Sequence, residues 1–115
     1  MRLIDFREPL AQDVDRYGSS EAAFARIAVT HGEGHLGCMY LGPGGGLGRH
    51  PAPCPQLFCI VRGEGTVTGG DGVPTVIECG QAVLFDSGED HESWTIGGMV
   101  VLVLEVSSTI QSAAG

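Results

Sequence analysis

Residues 44–63 read GGGLGRHPAPCPQLFCIVRG, and residues 80–95 read GQAVLFDSGEDHESWT. Each stretch places one histidine, His50 or His91, among glycines and alternating apolar residues, a pattern typical of short strands. Brought together inside a small β-barrel, the two imidazoles would make half of a metal site. These two stretches therefore decide the fold class and show where to look for chemistry.

Alternation around His50 predicts which side chains face the inside of the barrel. In an extended chain, successive side chains point to opposite faces. One face then carries His50, Ala52, Cys54, Gln56, Phe58 and Ile60. The three prolines of this segment have the other parity, where their missing N–H groups are tolerated at an edge or a bulge. The inward row begins polar and becomes apolar, which fits a barrel with a wet mouth and a packed floor.

The rest of the chain is cut into short pieces by 19 glycines and six prolines, which favours strands over long helices. Further strands are predicted over 23–30, 35–41, 74–79, 91–96 and 99–106. We expect a loop over 42–48, a tight corner at 63–65 and a hairpin turn at 69–72. Eight or more short strands indicate a barrel or β-sandwich. The nearly all-apolar run 99–106 is expected to be the most central strand, and the tail 107–115 to fray.

Composition limits the class of protein and its partners. A chain of 115 residues is long enough for one domain, 1–115. The net charge is −8, and no basic residue follows Arg62, so nucleic acid and anionic membranes are excluded as partners. The N-terminal segment has no long apolar run, and none elsewhere is long enough to span a membrane. A cytoplasmic location is therefore expected, with the four cysteines as buried free thiols.

The first stretch resembles the first motif of the cupin family: glycine, five residues, His-x-His, three or four residues, glutamate, six residues, glycine. Gly44, His50 and Gly63 fall in register. Ala52 stands where the second histidine belongs, and Gln56 stands where the glutamate belongs. The motif is thus present in spacing but has lost two of its metal-binding residues.

The second stretch is similar to the second cupin motif: glycine, five residues, Pro-x-Gly, two residues, histidine. Gly80, Gly88 and His91 match, with Asp86 in the proline position and Thr95 where asparagine is common. The spacer between the motifs has a typical length. The resemblance covers residues 35–106 and implies an all-β fold, the double-stranded β-helix or jelly-roll barrel of the family.

The resemblance also implies a site. Cupins bind a divalent metal through three histidines and a carboxylate. The residues of this chain at matching positions are His50, Gln56 and His91, and Cys54 is a further candidate if it faces inward as a thiolate. Zinc, copper, nickel and iron all suit imidazole ligands. A site without any metal is the alternative, since Gln56 brings no negative charge.

Two functions follow from the resemblance. The first is a metal-dependent enzyme acting on a small molecule, of the dioxygenase, isomerase or cyclase type. The second is a metal-free barrel that binds a small ligand by hydrogen bonds from His50, Gln56 and His91. Small cupins usually form homodimers through their N-terminal strands, so Leu3, Ile4 and Phe6 are expected in or near such an interface.

Overall fold

A computed structural model describes residues 1–113 and confirms the all-β prediction. The described residues form one short 3-10 turn (Glu8–Leu10) and twelve strands: β1 Arg2–Asp5, β2 Gln12–Asp13, β3 Ala23–Phe24, β4 Ala28–His31, β5 Gly34–Leu41, β6 Gly46–Pro51, β7 Gln56–Thr68, β8 Thr75–Glu78, β9 Gln81–Phe85, β10 Asp90–Trp94, β11 Met99–Val106 and β12 Thr109–Ser112. None of the described residues forms a helix long and apolar enough to cross a membrane.

Strand β7 is shared by the two sheets of the barrel. Its first half pairs with β9 and β11, which gives the strand order β1-β9-β7-β11-β5. Its second half pairs with β8 and β10, and β10 pairs in turn with β6. Every pairing is antiparallel, and the result is the jelly-roll barrel predicted from the two motifs. The most central strand is β7 with four partners, and not β11, which has two.

A bend at Gly63, two residues after a bulge at Val61, lets β7 continue from one sheet into the other. The φ angle of Gly63 is 78°, and a β-carbon at this position would collide with the carbonyl oxygen of Gly98. The β7–β11 register shifts just before it, between Val100 and Val101. Glycine is required here because it combines positive φ with the close approach of another backbone. The corner predicted at residues 63–65 is therefore wrong: the strand bends here but does not end.

Alternation along β7 separates two cores. Phe58 and Ile60 point into the barrel and join a buried cluster with Val83, Phe85 and Val101. Leu57, of the other parity, packs in a second cluster on the outer face of the sheet, with Ile4, Ala82, Leu84, Val106 and Ile110. The outer cluster is covered by the segment around Ile27 and Ala28. The barrel interior is thus filled along most of its length by apolar side chains.

The structure differs from the sequence predictions at three elements: β12, β6 and the predicted strand 23–30, which is divided into β3 and β4. Residues 109–112 form β12, paired with β4, in place of the frayed tail, because Ile110 packs in the outer cluster. The last two residues of that predicted tail lie outside the described part. Strand β6 begins at Gly46, inside the predicted loop. The four cysteines are free thiols as predicted, but Cys38 and Cys79 are exposed rather than buried.

Candidate functional site

The two motif histidines lie side by side inside the barrel. Strands β6 and β10 are paired so that His50 and His91 are direct neighbours. Their ring centroids are 4.6 Å apart, with the planes at 76°. The register shifts between His91 and Ser93, so β10 is irregular beside the pair. The structure thus joins the two histidines that the sequence places 41 positions apart, as predicted from the motifs.

His91 is enclosed by aromatic rings. Its side chain is 1% exposed, and its ring lies 4.2 Å from that of Phe85 and 5.6 Å from that of Phe58. Neither Nδ1 nor Nε2 has a hydrogen-bond partner within residues 1–113. Burial lowers the pKa of His91 below its ordinary value of 6.5, and the neighbouring His50 lowers it further. The imidazole is therefore neutral at pH 7, with one N–H and one lone pair that lack partners.

His50 is half-buried and anchored through one ring nitrogen. Its Nδ1 lies 2.7 Å from the carbonyl oxygen of Gly48. A carbonyl only accepts, so Nδ1 carries a proton, and in the neutral ring Nε2 has the lone pair. Metal-ligating histidines are typically oriented in this way, by a bond from the second ring nitrogen to a backbone carbonyl.

Gln56 is buried and bonded on one side only. Its Nε2 donates to Oε2 of Glu105 at 3.1 Å, whereas its Oε1 has no partner. Gln56 is also the register partner of Phe85, the residue stacked on His91. The amide therefore offers an unpaired acceptor next to the aromatic wall of the histidine pair.

Glu105 is the polar residue of this region that the sequence analysis missed. It is the β11 partner of Gln56. It shares the parity of Val101 and Val103, which belong to the interior core, and it interrupts the otherwise apolar run MVVLVLEV. A single carboxylate in an otherwise apolar strand is a sequence signal for a functional residue. The signal identifies Glu105 as a neighbour of Gln56 only when the β7–β11 register is known.

Cys54 lies beside the same carboxylate. Its Sγ is 3.8 Å from Oε2 of Glu105. Burial raises the pKa of the Cys54 thiol, and the negative charge of Glu105 raises it further. The thiolate is the form that ligates metals, so a thiol held protonated is a poor ligand. The chemistry of its neighbour thus argues against Cys54 as a metal-binding residue.

The residues present suit a metal with neutral ligands. Within residues 1–113, no three His, Cys, Asp or Glu side chains lie together as a metal-binding group. The position of the second motif histidine is taken by Ala52, which is buried and offers no donor. The orphaned atoms of His91 and Gln56, together with Nε2 of His50, are nitrogen and oxygen donors of the kind that bind divalent transition metals.

Comparison with known proteins bears on the fold and on both motifs. Residues 37–107 match the family model described as "Cupin domain". The chain belongs to the cupin family. The resemblance was predicted over residues 35–106. The match begins two residues later and ends one residue later. No curated protein is detectably similar in sequence.

Solved structures with the same fold come from several bacteria. A cupin superfamily protein from Desulfitobacterium hafniense has a TM-score of 0.61 at 12% identity, over 94% of this cupin and 100% of that chain. A conserved protein of unknown function from Streptococcus pyogenes has a TM-score of 0.61 at 19% identity, over 72% and 75% of the two chains. A protein described as a predicted oxalate decarboxylase from Thermotoga maritima has a TM-score of 0.58 at 25% identity, over 63% of this cupin and 64% of that chain.

Proposed function

We propose that this cupin binds a divalent transition metal (zinc, copper, nickel or iron) through His50, His91 and Gln56 and acts on a small molecule there. The observation that carries the proposal is His91, an imidazole buried to 1% exposure with both ring nitrogens unpartnered. A buried polar group without a partner costs about 1–3 kcal/mol. Such a cost is expected where a ligand supplies the missing partner.

The polarity of the free atoms favours a cation. With its Nδ1 proton committed to Gly48, His50 presents a lone pair at Nε2. Neutral His91 has one lone pair, and Oε1 of Gln56 is an acceptor without a donor. Two imidazole lone pairs on rings whose centroids lie 4.6 Å apart are matched by one metal ion, and Oε1 of Gln56 would complete a set of three donors, whereas an organic ligand would have to bring three separate N–H or O–H donors.

Glu105 would act through Gln56. Its hydrogen bond to Nε2 holds the amide in one orientation and increases the electron density on Oε1. The carboxylate also places one negative charge beside a site whose own donors are neutral. Part of the negative charge that a motif glutamate would bring is therefore supplied indirectly, by Glu105 on the neighbouring strand β11.

A metal held here would supply a Lewis acid or a centre for oxygen activation, in reactions of the dioxygenase, isomerase or cyclase type. The chain's own contribution is positioning and exclusion of water. Gly48 fixes the ring of His50, and Phe58 and Phe85 enclose the ring of His91. The site is therefore dry on its inner side, which strengthens every electrostatic interaction within it.

Equilibrium dialysis of untagged protein against zinc, nickel, copper and ferrous iron tests the proposal. We expect one equivalent of at least one metal, and at least tenfold weaker binding in His50→Ala and His91→Ala. His31→Ala is the matched control, because His31 is an exposed histidine of β4, which pairs with β12 and not with the strands of the histidine pair. Absence of stoichiometric binding by the wild type, or equal weakening by His31→Ala, would overturn the proposal.

A metal-free small-molecule-binding cupin is the second candidate, favoured by Ala52 and Gln56. Neither side chain has a charge that a metal would be needed to neutralise. In this case the orphaned atoms of His91 and Gln56 bond a ligand directly. Thermal shift separates the candidates, since a ligand of the folded state raises its melting temperature. If organic compounds raise the melting temperature in EDTA and no metal raises it, the metal-free candidate is favoured.

We also infer a homodimer, but with a different surface from the predicted one. Ile4 is buried in the chain's own outer cluster and is not free for a partner, whereas Leu3 stays 46% exposed. Leu36 and Tyr40 on the outer face of β5 are 69% and 76% exposed. Sedimentation of wild type and Tyr40→Asp is the test: a dimer that the substitution weakens supports this surface, and a monomeric wild type contradicts it.

A further inference from the structure

A cleft lies beside β1, away from the histidine pair. Its volume is about 1070 Å³, and it is formed by β1, the β2–β3 pair with its connecting loop, and the end of β12. None of the residues of the metal-site proposal lines it. Its walls combine two kinds of side chain: large apolar ones, Leu3, Leu10 and Phe24, and cationic ones, Arg2, Arg16 and Arg26.

The cleft concentrates positive charge in an acidic protein. Three of the six arginines of a chain with net charge −8 line it. Within residues 1–113, none of these three forms an ion pair, whereas Arg7, outside the cleft, is paired with both Asp5 and Glu78. That pairing also neutralises Asp5, one of the two carboxylates of the cleft, and leaves Asp13 as the other. The cleft therefore holds more unpaired cations than anions.

The guanidinium groups are available to a ligand. The side chain of Arg16 makes a single described contact, with its Cζ 5.6 Å from the ring centroid of Tyr17, and Tyr17 is itself almost fully exposed. A stacked guanidinium keeps its N–H donors in the ring plane free for hydrogen bonds. Their fork geometry matches carboxylate, sulfonate and phosphate oxygens.

Apolar surface lies beside these cations. Leu10 and Phe24 are 61% and 62% exposed, and Leu3 is 46% exposed. Large apolar side chains lining a concave surface next to unpaired arginines match a molecule that is apolar at one end and anionic at the other. The cleft volume is slightly above the range of about 300–1000 Å³ for small-molecule sites.

We propose that this cleft binds a small amphipathic organic anion. The apolar body packs against Leu3, Leu10 and Phe24, and the acid group is held by Arg16 and Arg26, with Arg2 at the β1 side. The inference is independent of the proposed function, because the two sites share no residue.

The probe is 8-anilinonaphthalene-1-sulfonate, and its neutral counterpart is N-phenyl-1-naphthylamine, which has the same aromatic body without the sulfonate. We expect saturable fluorescence enhancement at one sulfonate per chain and at least fivefold weaker binding of the neutral compound. Arg16→Gln and Arg26→Gln should each weaken sulfonate binding about fivefold to tenfold, and should leave the neutral compound unaffected. Phe24→Ala should weaken both compounds.

Arg62→Gln is the matched control. Arg62 is an exposed arginine of β7 outside the cleft, near the apolar outer face of β5. Its loss should leave the affinity unchanged. Three results would overturn the proposal: equal affinity for both compounds, equal weakening by Arg62→Gln, or sulfonate binding that survives the double variant Arg16→Gln/Arg26→Gln. A double variant that turns a dimer into a monomer would instead assign the cleft to a second copy of the chain.

Discussion

At the scale of single residues, His91 combines close packing with polar atoms that lack partners. Its ring is packed like a phenylalanine against Phe85 and Phe58, yet it has two polar atoms that lack partners. The shape of the imidazole ring fits this site, whereas burial of its two unpartnered nitrogens is unfavourable. A ligand that bonds one nitrogen relieves this conflict, so the stability of the ligand-free protein reports on the site directly.

Replacing His91 by phenylalanine should leave the metal-free protein as stable as the wild type, or raise its free energy of unfolding by up to about 2 kcal/mol. The substitution removes two unsatisfied polar atoms and keeps the ring. His91→Ala should instead lower the free energy of unfolding by about 2–4 kcal/mol, because it leaves a cavity beside Phe85. Urea unfolding in EDTA measures both. Equal destabilisation by the two variants would contradict this account of the site.

The stability of the metal-free protein should also depend on pH through His91. Burial, then the charge of His50, holds the pKa of folded His91 below the ordinary 6.5. Between these two pKa values the unfolded chain binds more protons, so stability is full above pH 6.5 and falls as the pH drops toward the folded pKa. Urea unfolding from pH 7.5 to 5 should show a smaller decline for His91→Phe. Parallel declines would mean that His91 does not titrate as described.

The histidine pair could be predicted from the sequence, whereas the Glu105 contact could not. Motif spacing alone brings His50 and His91 together, because each has a fixed place in a known barrel. Contact between Glu105 and Gln56 depends on how β7 and β11 are aligned, and a shift of one residue would turn Glu105 outward. Nor does the sequence reveal that the nitrogens of His91 are unpartnered.

At the scale of elements, β7 joins the two sheets, and Gly63 makes this possible. Strands were predicted well where a run rich in apolar residues is bounded by turn residues, as in β5 and β11. Boundaries were missed where glycine occurs inside a strand, as in β6 and β7, because glycine usually marks a turn. β12 was missed because its few apolar residues gave no clear alternation. Only the tertiary fold shows that Ile110 packs in the outer cluster.

Gly63→Ala should lower the free energy of unfolding by more than 2 kcal/mol. It places a β-carbon against the carbonyl oxygen of Gly98 and forces an alanine to adopt positive φ. Gly72→Ala is the control, since Gly72 has a similar φ of 72° and open space around it. Its cost should be confined to backbone strain, about 1 kcal/mol. Similar losses for both variants, measured by thermal unfolding, would contradict the role of Gly63.

At the scale of the whole molecule, Glu89 connects three distant parts of the chain. Its carboxylate accepts the backbone N–H groups of Gly70 and Asp86, and it pairs with the amino group of Met1 at 2.6 Å. The start of β1 and the turns that follow β7 and β9 are thus held at one point. Burial alone would raise the pKa of Glu89, but these three partners together lower it.

Glu89→Gln should lower the free energy of unfolding at pH 7 by about 1–3 kcal/mol, through the loss of charge-assisted hydrogen bonds. Because the pKa of folded Glu89 is below its ordinary 4.5, this stabilisation is present above pH 4.5 and is lost as the pH falls through the folded pKa. The difference between wild type and variant should therefore shrink toward pH 3 in urea titrations. Glu33→Gln, at an exposed site on the turn before β5, should show no such difference.

The pairing of β4 with β12 has a consequence for the order in which the molecule assembles. Thr109 and His31, which lie opposite each other in this pair, are 78 residues apart along the chain. During synthesis on the ribosome, β4 must wait until almost all the other strands have emerged, and β1 must wait in the same way for β9. Contacts so distant in sequence make folding slow. We therefore expect β4 to be among the last strands to gain protection from hydrogen exchange, and until then the apolar residues of the outer cluster remain open to chaperones.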